Sequence, residues 1–552
     1  MKAKYSGQRL FRWGFLGSIF LGAFLGCSDP SESSTGLVFR YNEPTALSSL
    51  DPAFARDQGH TWVAKQLFST LVETDSALQI QPNLALSWST DASGMHWEFK
   101  LRRGVYFHDD ACFPGGKGRQ LWAQDVVYSL QRLLDPQTAS PGAWVLENVA
   151  KVSVLDSFTL AIDLKAFDPA LLGRLAMPYC GIVPVEALEA YGSGFSEHPV
   201  GSGPFRFQAW ARQEKLVLRR HPNYYEFNAQ GQRLPYLEAV AIRFIPERQA
   251  AFLEFLKGEL DLVSGVDPSY KDQLFDAQGG LKARWAGELT LQKSPFLNTE
   301  FIGIRAQQPD PDYLGDIRIR QALNWALDRA SMMRYLKNNI GIPAYGALLP
   351  AGLAGHRSPE DWRQEGFEPW CYDLERAQAL VRETGVLERA DLAPIVLSTT
   401  ASYRDICEYV QSAWTKLGFP VQVNVMPSAA FREDKSAGRL SVYRASWIAD
   451  YPDASNYLML FESAYAAPNG PNAAQVRDAD YDALALTARQ AVAADERAAA
   501  ARAADAWLKR EVPLVPLFYD ESVRVFRQEW QGLPSHPMNV LDLRRVTRRS
   551  VR

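Results

Sequence analysis

The chain has 552 residues, about three or four domain lengths at roughly 150 residues each. Hydrophobic residues make up 47% and charged residues 22%, with a formal net charge of −4 and a mean hydropathy of −0.22. These values exclude wholesale disorder, a polytopic membrane protein and a dominant basic nucleic-acid footprint. With 5 Cys and 7 His, a disulfide scaffold is excluded and a multi-metal protein is not expected.

The amino terminus sets the compartment. Lys2, Lys4, Arg9 and Arg12 precede an apolar run from Trp13 to Gly26. Fourteen residues of helix reach about 21 Å, short of a hydrocarbon core of about 30 Å, so the run fits the apolar region of a signal peptide. Phe24-Leu25-Gly26-Cys27 resembles the lipobox of bacterial lipoproteins, departing from it at Phe24. That resemblance implies cleavage before Cys27 and acylation of Cys27, an anchor of two or three chains. Removing residues 1–26 takes the formal charge from −4 to −8. Residues 27–35 read as a flexible polar tether. Cys112, Cys180, Cys371 and Cys407 remain, and they allow three full pairings among which the sequence does not choose.

The body alternates strands and helices. Residues 36–41 read as a strand and residues 57–71 as a helix. His96 to Leu101 alternates like a half-buried strand, and residues 152–155 and 159–164 flank a hairpin turn at Asp156-Ser157. From Asp405 to Leu417, the residues Ile406, Val410, Ala413, Trp414 and Leu417 share a helical face. Gly418 ends that helix, and residues 420–425 alternate as a strand. This order suggests α/β layering. The alanine-rich stretch 491–504 has the composition of one ordinary helix. No 20–50-residue repeat occurs, so a solenoid is not expected.

Several ordered segments then carry a resemblance. They are Pro82-Asn83-Leu84-Ala85, the run Trp97 to Asp109, Ala123 to Ser129, Gly201-Ser202-Gly203-Pro204-Phe205, His221-Pro222-Asn223-Tyr224-Tyr225, Ile317 to Arg329, and Trp447-Ile448-Ala449-Asp450-Tyr451-Pro452-Asp453. Spread in order over about 370 residues, they resemble the bacterial extracellular solute-binding proteins of the dipeptide- and oligopeptide-binding family (family 5). The resemblance implies an α/β type II periplasmic-binding-protein fold, two lobes around a ligand cleft with an extra inserted subdomain. The implied layout is a leader at 1–26 and a tether at 27–35. Lobe I then takes 36–297, with its insert at about 73–204. Lobe II takes 298–512, and 513–552 return to lobe I. The loop from Phe113 to Arg119 departs from the shorter family pattern and receives no role.

The resemblance also nominates residues. In peptide-binding members, the aspartate matching Asp450 pairs with the peptide amino terminus, because a buried ammonium needs a carboxylate partner. Trp447 would supply an apolar wall and a ring face for cations. Asp450 and Asp453 also read as turn residues beside Pro452. Gly59 and His60 match a region that contacts peptide backbone, and equally read as helix initiation. Asn298, Phe301 and Gly303 sit at the expected crossing into lobe II, where Phe301 reads as core. The partner of the ligand carboxylate is left unassigned among 59 Lys and Arg.

The expected function is therefore a lipid-anchored solute-binding component of an ABC transporter. It captures short peptides by lobe closure and delivers them to a permease with its ATPase. No catalytic residue, metal or cofactor is expected, and a monomer is. Alternatives are the same fold with another solute, a metal chelate or an oligosaccharide, or an envelope hydrolase. Against the last, no Gly-x-Ser-x-Gly or His-Glu-x-x-His pattern occurs. Gly115-Gly116-Lys117-Gly118 lacks the earlier glycine and the following Ser or Thr of a phosphate loop. Cys27→Ser should release the protein from membranes in a bacterial host; cell fractionation checks this, and a cleaved variant that stays in the membrane fraction contradicts lipidation.

Overall fold

The computed structural model describes residues 36–549 apart from 266 and 268. The expected leader, the lipidation site Cys27 and the tether lie outside the described residues. The sequence periods become elements as expected in most places. Strand His96–Leu101 buries Phe99 and Leu101, and helix Arg404–Thr415 buries Ile406, Val410, Ala413 and Trp414. Strand Val421–Met426 then runs parallel to Ile395–Thr400, which is the α/β layering inferred from the pattern. The alanine-rich stretch forms its helix only from Ala494, continuing to Glu511. Ala491 and Ala493 are extended and separate it from helix Ala479–Gln490.

One eleven-stranded sheet organises the molecule. Its order is Val421–Met426, Ile395–Thr400, Val442–Ile448, Leu289–Ile304, Leu514–Arg527, Leu262–Ser264, Val38–Asn42, Ala239–Arg243, Lys215–Arg220 and Phe205–Ala211, with Ile342–Pro343 added beside Leu514–Arg527. The two long central strands pair twice. Residues 289–295 face 521–527, residues 299–303 face 514–519, and the register breaks between the two blocks. On one side of the break lies lobe I, whose core gathers Phe39, Leu218 and Ile242. On the other lies lobe II, with Ile395, Val410 and Trp414 packed on one face of its sheet and Phe301, Tyr443 and Trp507 on the other.

A four-stranded antiparallel sheet forms the inserted subdomain: Ala85–Thr90, His96–Leu101, Thr159–Leu164 and Val149–Asp156. The loop from Phe113 to Arg119 has a structural use here. Arg119 pairs bidentately with Asp125, Nη1–Oδ2 2.8 Å and Nη2–Oδ1 2.7 Å, and with Glu186 at 2.6 and 2.8 Å. It thereby ties helix Ala123–Leu134 to helix Val185–Tyr191. Two such forks hold a planar guanidinium in one orientation. All four described cysteines, Cys112, Cys180, Cys371 and Cys407, are free thiols.

The Gly201–Gly203 segment shows why its motif is glycine-rich. A Cβ on Gly203 would stand 2.5 Å from the Gln66 carbonyl oxygen, so backbone passes where no side chain fits. Two buried histidines hold this segment. Gly201 N–H donates to His108 Nδ1 (3.2 Å), so Nε2 carries the proton and donates to the Gly203 carbonyl (3.0 Å). His221 Nδ1 donates to the same carbonyl (3.1 Å). Burial pushes both rings below the ordinary histidine range, His221 to about 4. The unfolded chain therefore binds these protons near pH 6.5 while the folded one refuses them. Stability should rise with pH between about 4 and 6.5 and fall away below it, by about 3 kcal/mol for His221 alone. Urea unfolding at stepped pH checks this, and His221→Asn should flatten the slope.

Candidate functional site

Strand Val442–Ile448 carries the Trp447-to-Asp453 motif out of lobe II. Trp447 pairs with Thr299 and Ile448 with Asn298 on the neighbouring strand. The chain then turns at Asp450 and enters the short helix Ser455–Leu458. Asp453 Oδ1 accepts from Ser455 N (2.8 Å), so Asp453 orders the turn. Asn456, fully buried, organises the rest. Its Oδ1 accepts from Trp447 Nε1 (3.0 Å) and from Asp450 N (3.1 Å), and its Nδ2 donates to Asp450 Oδ2 (3.3 Å). Trp447 and Asp450 are thus held together by a residue that the sequence reading did not nominate.

Asp450 lines a cavity of about 350 Å³ between the lobes, with Trp62 from lobe I, Gly173 and Met177 from the insert, and Pro452 from lobe II. Beside it the walls touch: Tyr451 lies near Trp144 (centroids 6.3 Å apart) and under the Arg174 guanidinium (5.1 Å). The Asp450 side chain is accessible, yet the surface it presents faces this crowded space. Burial pushes its carboxyl above the ordinary aspartate range, opposed by the Asn456 hydrogen bond and by no cation. Two of the cations on the same cavity are already committed. Lys65 pairs with Glu73 (2.5 Å), and Arg544 pairs with Glu73, Glu226 and Asp542. The Asp450 carboxylate therefore has no cationic partner, on a cavity whose lining mixes Trp62, Met177 and Pro452 with charged groups such as Asp75 and Arg545, and it can take a cationic group.

Asn298 faces a second, larger cavity of about 860 Å³, bounded by Gln58 and Arg248 from lobe I and by Tyr403, Ser446 and Ile448 from lobe II. Asn298 is buried, and its Nδ2 donates to Glu300 Oε1 (3.1 Å) and Asp520 Oδ2 (3.4 Å), while its Oδ1 has no partner. Glu300 in turn pairs with Arg444, whose guanidinium covers the Tyr403 ring. This buried pair is a second feature that sequence reasoning missed.

Gly59 and His60 stand apart from both cavities, since only their neighbours Gln58 and Thr61 line them. A Cβ on Gly59 would lie 2.8 Å from the Glu43 carboxyl carbon. His60 Nδ1 meets Asp57 Oδ1 at 2.6 Å, and its Nε2 meets Ser48 N and Oγ at 3.1 Å. Asp57 also accepts from His60 N. Nδ1 thus serves the helix start, and Nε2 ties it to the preceding loop at Ser48.

A family model described as bacterial extracellular solute-binding proteins, family 5 middle, matches residues 79–469. The chain is 27% identical over 527 residues to a probable deoxycholate-binding periplasmic protein of Escherichia coli K12, covering 90% of this chain and 91% of that one. It is 25% identical to the periplasmic oligopeptide-binding protein of Salmonella typhimurium LT2, covering 89% and 88%. Among solved structures, the Helicobacter pylori periplasmic binding protein DppA, in complex with peptide STSA, superposes with a TM-score of 0.75 at 23% identity, covering 93% of this chain and 99% of that one. Asn456→Ala should strand the Trp447 indole N–H and the Asp450 backbone N–H. Removing these buried partners should lower stability by about 2 kcal/mol, read as an earlier urea midpoint with an unchanged slope.

Proposed function

Because the chain belongs to family 5 of the bacterial extracellular solute-binding proteins, the capture components of ABC importers, we propose that its solute is a short peptide whose amino terminus is held by Asp450. The family and the matched relatives are substrate-binding proteins, and the chain is a binding protein and not an enzyme. Its place is extracytoplasmic, as for those periplasmic relatives.

The observation that carries the peptide reading is the Asp450 carboxylate, which faces the interlobe cavity without a cationic partner. An ammonium delivered there would recover the Coulomb energy that the empty carboxylate lacks, in surroundings where such a pair is stronger than in water. Trp447, fixed by Asn456, would serve as a wall behind it. Asn298 lies at the strand crossing and would sense closure at the second cavity. Gly59 and His60 would act by shaping the start of helix Gln58–Leu67, whose exposed neighbours line the cleft. The anchor reading rests on Lys2 to Cys27 and would keep the receptor near its permease.

A different solute is the rival reading, because the relatives' names range from deoxycholate to oligopeptide. Mass analysis of material co-purified under mild conditions separates the two; recovery of sterols, sugars or chelates alone would sink the peptide. Asp450→Ala should weaken a tripeptide with a free amino terminus at least tenfold more than its acetylated form. Since the carboxylate is the binding form and its pKa is raised, affinity for the free amine should fade at a higher pH than an ordinary aspartate would dictate. Calorimetry across pH 4 to 8 reads both, and equal weakening of the two peptides removes the ammonium role.

A further inference from the structure

At one end of the lobe I sheet, arginines gather beside the first strand's start. Val38 pairs with Ala239, Ala239 with Arg219, and Arg219 with Arg206, so the four residues form one row across four strands. Neighbouring strands lie about 4.8 Å apart, which makes the row about 14 Å long. Glu238 N donates to the Leu37 carbonyl (2.8 Å), fixing the start of Val38–Asn42 against this end. Arg206 and Arg219 stand directly opposite each other, a pairing of like charges that is destabilising on its own. With Arg220, Pro222 and Glu238 they line an open groove of about 430 Å³. Arg220 donates to Glu238 (3.3 Å), whereas Arg206 and Arg219 pair with no carboxylate among the described residues, and Arg206 Nε has no hydrogen-bond partner there. Asp109, whose carboxyl feels the Arg206 charge, is taken by Lys117 (2.8 Å). Three guanidiniums thus share one acid in this groove.

We propose that this arginine groove is a docking surface for an anionic phospholipid bilayer, engaged when the chain is anchored at Cys27; it rests on the anchor reading. Cys27 precedes Leu37 by ten residues, and an extended chain of that length spans at most about 36 Å. Acyl chains on Cys27 therefore keep the arginine row within reach of lipid phosphates, where each arginine strengthens surface binding about fivefold. The planar guanidinium fork matches a phosphodiester. Beyond the leader the chain has a formal charge of −8, so an anionic surface repels most of it and turns the cationic end inward. The cleft lies at the other end of these strands. Ala239 opens its strand in the arginine row, Arg243 closes it shortly before Arg248, and Ser264 closes Leu262–Ser264; Arg248 and Ser264 line the 860 Å³ cavity. Docking by the arginines thus opens the cleft away from the bilayer, toward arriving solute.

Full-length protein from a bacterial host, incorporated into vesicles and footprinted with phenylglyoxal and mass spectrometry, tests this arginine by arginine. In phosphatidylcholine vesicles with about one third phosphatidylglycerol, Arg206 and Arg219 should react about fivefold more slowly than in pure phosphatidylcholine. Arg212, in the turn at the opposite end of the two strands, should react equally in both. About 0.5 M NaCl, which shortens the screening length to about 4 Å, should remove the difference. Arg219→Gln should restore most of the Arg206 reactivity, and Lys215→Gln, the same charge change at the far end of that strand, should not. Equal reactivity in the two lipids, protection that extends to Arg212 or survives high salt, or restoration by Lys215→Gln overturns the docking surface. Equal protection by dissolved glycerol phosphate beside neutral vesicles also overturns it, marking a small-anion site instead. Flotation with pure phosphatidylcholine vesicles reports the anchor separately. Protein that does not float removes the anchor, and its footprint with added phosphatidylglycerol vesicles still decides the arginine surface.

Discussion

Two strands, Leu289–Ile304 and Leu514–Arg527, run side by side through both lobes, and their pairing is the constraint on which the rest depends. Backbone donors and acceptors are rarely left unpaired inside a protein, so the two strands stay paired on both sides of the register break between Pro295 and Thr299. At that break sit Asn298 and Asp520, joined side chain to side chain. The large interlobe cavity opens over them. The Asp450 loop leaves the strand that pairs with the lobe II half of Leu289–Ile304. Each lobe is therefore fixed to its own stretch of a common ribbon, and the space between them is where that ribbon changes register.

Buried charge separates scaffold from site. Arg119 with Asp125 and Glu186, Arg544 with its three acids, and Arg329, whose guanidinium donates to the carbonyls of Asn324, Pro516 and Trp370, are satisfied internally. Glu300 is raised by burial but retains Arg444. Asp450 and Lys435 differ: each lines a cavity, and neither has an opposite charge among the described residues offsetting its shift. Natural proteins rarely carry such groups without a use. The same physics that marks the others as architecture sets these two apart from it.

Where one period dominates, the sequence reads directly. Helix Arg404–Thr415 and strand His96–Leu101 follow from the spacing of their apolar residues, because a face buried against one layer imposes one period. Asp450 was visible through the motif around it. Asn456 was not, because its role depends on sharing one oxygen between an indole and a backbone N–H, and no residue spacing encodes that. Lys435 was illegible for a similar reason: on its helix it sits among acids and reads as surface, and only the fold shows which acids Arg439 occupies. Arg119 gained its meaning when Glu186, 67 residues further along the chain, came to lie against it.

The sheet order also bears on how the chain is made. Strand Val38–Asn42 is synthesised early, but its neighbour Leu262–Ser264 is completed on the far side by residues 524–526 near the end of the chain. Lobe I can therefore close its sheet only after nearly all residues have left the ribosome. A chain whose earliest strand waits for its latest stays incompletely folded during synthesis, and that is the state a secretion channel requires of its cargo.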